Sequence, residues 1–272
     1  MIATSALFLL AAMQVGPDPT AGALSDNADI LERPARTETT ENRALSRCLL
    51  LARDEPEDAL DMAQSWRETA ENELELAQSA HCLGLAMVRL DRLDEARRVF
   101  EQASAEVPDD NPGYRARLLA MAGNAAMAER RADLAQTLFG DALGHARLSS
   151  DAALIGGMLV DRARALVAEN RAEEAVPLLA EARTQVPDDA QAWLLSATLS
   201  RRLERLGEAQ KQIETAADLD PRDPQIGLEA GVIAALAGRS EDAARSFRSV
   251  LEVAPDSPQA ERARGYLEQL TR

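Results

Sequence analysis

His81 and Cys82 are neighbours in the chain, and the other histidine and cysteine are His145 and Cys48. These four side chains are the natural candidates for a metal site or a nucleophile. Adjacent residues on a helix point about 100° apart, so His81 and Cys82 converge poorly on one atom. No CxxC or HxxxH spacing occurs, and no structural zinc site is expected. The GxSxG nucleophile turn and the glycine-rich phosphate loops are missing as well. Lys211 is the sole lysine, which leaves little room for lysine chemistry. The 46 acidic residues read as solvated helix faces, not acid–base pairs. The residues predict no enzyme, no metal, no cofactor and no small-molecule substrate.

Composition says what must position whatever the chain does carry. Of 272 residues, 53 are alanine and only 3% are aromatic. Alanine is the best helix former and lets helices approach closely, whereas sheets favour β-branched and aromatic residues. The fold class predicted is all-α. The net charge of −16 opposes binding to nucleic acid or to an anionic membrane, both of which require a basic face.

An internal repeat then fixes the architecture. From Gly84, twelve residues lead to Ala96, then to Phe100, Ala103 and Pro108. The same spacing gives Gly123, Ala135, Phe139 and Ala142, with Arg147 in the proline place. It gives Ala163, Ala175, Leu179, Ala182 and Pro187, then Ala197, Ala209, Ile213, Ala216 and Pro221. A fifth copy reads Gly231, Ala243, Phe247, Val250 and Pro255. The small residues belong where paired helices cross, and the large one fills the hole they leave. Each proline stops a second helix, because it cannot continue one. Pro177 falls early in a second helix and predicts a mild bend.

This pattern resembles the tetratricopeptide repeat (TPR) family, whose 34-residue unit is a helix–turn–helix. The family's tryptophan is matched only by Trp193, and its tyrosine by no residue. The resemblance implies a right-handed α-solenoid of about six repeats. Its copies span 77–110, 116–149, 156–189, 190–223 and 224–257, after a degenerate copy at 41–76. Extra residues at 110–116 and 149–156 lengthen the turns between repeats or extend a helix. The amphipathic segment 258–272 is expected to cap the open end.

The N-terminal run Ile2–Met13 is too short to span roughly 30 Å of hydrocarbon. It suits the apolar region of a signal peptide within residues 1–23, although no Lys or Arg precedes it. The expectation is an exported, periplasmic protein with no integral span in the mature chain; the alternative is an apolar tail on a cytoplasmic one. Residues 24–40 read as a disordered linker, rich in Pro, Asp and Thr.

The resemblance also implies that first helices line a concave groove that binds a protein segment. Positions three before, one after and four after the small residue should face it. These are Ala120, Asn124 and Met127 in the third copy, with Arg117 a turn earlier. They are Val160, Arg164 and Val167 in the fourth, and Leu194, Thr198 and Arg201 in the fifth. In the sixth they are Leu228, Val232 and Ala235. The arginines could hold a carboxylate through bidentate bonds, or be solvated stems covering apolar surface. The clamp that co-chaperone members use for C-terminal carboxylates is matched at Asn124 but not at Ala120 or Asp161, so chaperone-tail binding is not expected.

Cys48 and Cys82 lie on first helices of adjacent copies. In an exported protein a disulfide between them is expected; otherwise they are two buried thiols acting as small hydrophobes. The function predicted is a protein–protein interaction adaptor or scaffold in the cell envelope. The alternatives are a structural subunit associating through its ends or convex face, and a cytoplasmic regulatory module.

Overall fold

The computed structural model describes residues 40–271. The N-terminal apolar run and most of the linker lie outside them. Thirteen α-helices and no strand are found among the described residues. They fall in two compact units, 40–171 and 172–271.

The first unit holds α1 (Thr40–Asp54), α2 (Pro56–Glu68), α3 (Glu73–Arg89), α4 (Leu93–Glu106), α5 (Pro112–Ala128), α6 (Ala132–Ser149) and α7 (Ala152–Ala168). The second holds α8 (Ala172–Gln185), α9 (Ala190–Arg202), α10 (Leu206–Leu219), α11 (Pro224–Leu236), α12 (Ser240–Val253) and α13 (Pro258–Leu270). Within each unit successive helices pack as antiparallel neighbours. First helices also touch the next first helix, as in α1 with α3, α5 with α7 and α9 with α11. They therefore form one wall of each unit. The architecture is an α-solenoid of helix pairs.

Two kinds of helix start alternate along the chain. First helices are capped by side chains: Asn72 accepts from the Glu75 N–H, Asn111 from Tyr114, Asp151 from Leu154, Asp189 from Gln191 and Asp223 from Gln225. Each satisfies a donor that the first turn leaves open. The second helices α4, α6, α10 and α12 have no such cap. These four and α8 are entered through a left-handed residue at one repeat position: Asp91, Arg130, Asn170, Glu204 and Gly238, with φ between 58° and 75°. The next residue is arginine every time, and its N–H closes the turn, as in Arg92 to Met87 O at 2.9 Å and Arg205 to Ser200 O at 2.8 Å. That is the bond of a Schellman cap.

The crossing of the paired helices is tight. A Cβ on Gly123 would stand 2.6 Å from Phe139 Cε1, and one on Gly231 would also meet the Phe247 ring. Phe100, Phe139 and Phe247 are fully buried. The copies with alanine at the crossing carry Leu179 or Ile213 instead.

The added residues between repeats extend first helices. α3, α5 and α7 have 17 residues, against 13 in α9 and α11. Where Arg147 replaces the proline, α6 runs for 18 residues and ends at left-handed Ser150. α8 continues through Pro177. α13 packs on both α11 and α12, with Ala260 and Ala263 against Phe247 and Val250.

The first copy is built differently. Its core is Cys48, Ala52, Ala59, Ala63, Cys82 and Ala86, with no large plug. Ala63 stands four residues after Ala59, where Phe100 stands after Ala96. A disulfide joins Cys48 on α1 to Cys82 on α3, with Cα atoms 5.9 Å apart. Arg67 adds a polar tie, donating to Leu76 O and to the Glu106 carboxylate, each at 2.9 Å from Nη1.

Candidate functional site

The residues that spacing assigns to an inner face come from four first helices. In α5, Ala120, Asn124 and Met127 are buried. Arg117, half-exposed, donates to the Asp151 carboxylate at 3.3 Å. Asp151 is also the cap of α7, so this pair ties adjacent first helices. In α7, Val160 is buried and Val167 half-buried. Arg164 bonds Asp161 at 3.1 Å, one turn back.

In the second unit, Leu194 is buried and Thr198 half-buried on α9. Arg201 donates from Nε to Glu229 Oε1 on α11 at 2.5 Å, and these side chains are 2% and 5% exposed. Leu228 and Val232 are buried on α11 and Ala235 is half-buried. All three arginines thus have carboxylate partners within the chain. Apart from Asn124 and Thr198, the other inner positions are apolar.

Trp193 has a structural place. The Arg183 guanidinium lies 4.7 Å over its ring, and its Nε1–H donates to Pro187 O at 2.9 Å.

Spacing alone passed over the second copy. There the position three before Gly84 is His81, and one turn earlier stands Gln78. Both are buried. His81 Nδ1 lies 3.0 Å from the Tyr114 hydroxyl on α5, and its ring stacks edge-on toward Phe100. Burial lowers the imidazole pKa to about 4, so the ring is neutral at ordinary pH. The same burial raises the Tyr114 phenol. The signal was present, since the rule used for the other copies reaches His81 when applied from Gly84.

Outside this face, an open cleft of about 730 Å³ lies between α4, α5 and α6. Arg115, Asp109, Asp141, His145 and exposed Leu148 are among its lining residues. Among the described residues no three His, Cys, Asp or Glu side chains group as metal ligands, and no helix is long and apolar enough to cross a membrane.

The family model described as Tetratricopeptide repeat matches residues 160–224 and 196–260. No curated protein matches the chain. Among solved structures, PilF of Pseudomonas aeruginosa is 14% identical, with a TM-score of 0.62 over 84% of this chain and 100% of that one. YrrB, described as a TPR protein with an unusual peptide-binding site, is 20% identical, with a TM-score of 0.52 over 75% of this chain and 97% of its own. MamA is 15% identical, with a TM-score of 0.51 over 68% and 98%. These likenesses concern the fold. With the repeat period, the helix pairs and the family match in agreement, residues 160–260 are tetratricopeptide repeats, and the helix pairs of the described residues share the fold of that family.

Proposed function

We propose that this protein is an interaction adaptor that holds an extended protein segment on a wall that first helices form within a unit. The observation that carries the reading is the make-up of these walls: mostly apolar side chains from neighbouring first helices, with Arg117, Arg164 and Arg201 already neutralised. Such a surface takes up apolar side chains from a partner without stranding a charge. The peptide-binding site named for YrrB is consistent with this use of the fold. Binding of the full chain to an array of immobilised 15-residue peptides tests it. Val167→Glu and Thr198→Glu, at half-buried positions, should weaken captured peptides at least tenfold. Unchanged binding in both variants overturns the reading. Exposed Leu219 and Val253, which end α10 and α12, favour the second reading, association through the second helices. Loss of binding in Leu219→Glu and Val253→Glu alone would establish that instead.

The proposed compartment is the cell envelope. The Cys48–Cys82 disulfide supports it, because such bonds persist in oxidising compartments, and so does the apolar N-terminal run. Intact mass of the protein from its native cells, alkylated with and without reduction, tests both points. A full-length chain with two free thiols would overturn export.

A further inference from the structure

This inference goes beyond segment binding and concerns a face of the first unit that the first-helix walls do not include. α6 carries two glycines in its interior, Gly140 and Gly144, although glycine is the poorest helix former after proline. Neither has a positive φ. Neither makes room for a neighbour within the chain. A Cβ on Gly144 would meet nothing within 4 Å, and one on Gly140 only the Arg162 guanidinium at 3.9 Å. Gly84, Gly123 and Gly231 differ, because each faces a phenylalanine ring.

One turn past Gly144 stands Leu148, 71% exposed and the most exposed large apolar side chain among the described residues. Residues 140, 144 and 148 form one slanted row on the helix, and all three line the open cleft beside α4 and α5. The equivalent row is charged in the last two copies: Glu214, Asp218 and Arg222, then Arg248, Glu252 and Asp256. The third copy thus sets bare backbone and a projecting leucine where those copies put solvated charge.

This face is complementary to itself. Lay a second α6 antiparallel on the first, with a two-fold axis at Gly144. Leu148 then comes level with the partner's Gly140, and exposed Arg147 with the partner's exposed Asp141. By symmetry each contact occurs twice. Gly144 lies against its own copy, where missing side chains let two backbones close in. A parallel pairing would instead set Asp141 against Asp141 and Arg147 against Arg147.

We propose that two copies of this chain associate through antiparallel α6 helices about a two-fold axis at Gly144. One helix pair buries less than the roughly 1,200–2,000 Å² of a standard stable interface, so the association is reversible and depends on concentration. Sedimentation velocity of the full-length, oxidised chain from about 5 to 500 μM tests it. The expected result is a dimer that grows with concentration. Gly144→Glu sets two carboxylates against each other on the axis and should weaken the dimer about tenfold or more. Its position opens to solvent, so the melting temperature of the dilute variant should not fall. Asp141→Arg and Arg147→Asp should each weaken self-association, since each puts like charges level. An equimolar mixture of these two variants should associate again, because every level then pairs opposite charges. A monomer throughout the range overturns the proposal, whatever else is found to bind α6. So does undiminished association in Gly144→Glu, or a mixture no better than its components. Loss of the dimer in Leu219→Glu alone would put the contact on another second helix and overturn the proposal too. Peptide capture is read separately with Val167→Glu, so either reading can fail without the other.

Discussion

A Cβ atom built on Gly84 stands 2.5 Å from Cε1 of Phe100. No real pair of carbon atoms tolerates that approach without a shift of the ring or the helix. The same relation holds between Gly123 and Phe139, and between Gly231 and Phe247. Glycine is required here for room, not for backbone freedom, and its choice is tied to the aromatic ring it faces.

Gly123→Ala should therefore destabilise the protein by about 1–3 kcal/mol through overpacking. Phe139→Leu alone should cost roughly 1–2 kcal/mol from lost burial. Together they set a branched aliphatic side chain opposite an alanine, as Ile213 stands opposite Ala197, so the double variant should be more stable than the sum predicts. A urea-melt cycle checks it; strict additivity would show that helix spacing and ring size are independent.

The left-handed turn residues give a second test. Arg130 and Glu204 hold φ near 60°, which costs a non-glycine residue about 1–2 kcal/mol. Arg130→Gly and Glu204→Gly should stabilise by about 0.5–1 kcal/mol after the extra entropy of glycine in the unfolded chain is counted. Asn170→Gly should change little, because asparagine tolerates this region. Equal effects at all three sites would contradict the account.

The repeat was legible because it is written in residue sizes at fixed separations. Gly84 to Ala96 to Phe100 states a helix crossing directly, and the prolines state where second helices stop. The left-handed turn was not legible: Asp91, Arg130, Asn170 and Glu204 share a conformation but no side-chain chemistry. Only the arginine after each of them repeats. The partners of the groove arginines were hidden for another reason. Arg117–Asp151 and Arg201–Glu229 depend on how one helix pair sits on the next, and residue spacing within a repeat does not encode that.

Buried charge gives a third expectation. Glu229→Leu alone leaves Arg201 without its carboxylate in a site closed to water and should cost about 3–5 kcal/mol. Adding Arg201→Met should recover most of the loss. If the double variant is no better than the single one in thermal melts, the pair does more than satisfy itself.

Stability should also depend on His81. Its folded pKa, lowered by burial to about 4, lies below the ordinary 6.5. The unfolded chain therefore takes up a proton first as pH falls. The contribution is full above pH 6.5 and is lost progressively between about 6.5 and 4, reaching about 3 kcal/mol. Denaturation midpoints of the wild type should fall across that window, and those of His81→Phe should fall less. Parallel profiles would place the pH dependence elsewhere.

Reducing the disulfide, or replacing it in Cys48→Ser, should cost about 3–4 kcal/mol in the chain-entropy account. The effect should appear as lost amide protection in α1 and α2, whose alanine core has no plug to fall back on. Protection within 172–271 should be unchanged.

The two cysteines stand 34 residues apart, one full repeat. Everything between them, including both connections that follow α1 and α2, is enclosed in a covalent ring. A protease that cuts the exposed turn at 69–72 opens the ring but releases nothing. The nicked protein stays one covalent molecule, heavier only by the water taken up, and separates into two fragments only under reduction. In the part of the array whose core has no large plug, a single cut between the two cysteines thereby cannot shed a repeat.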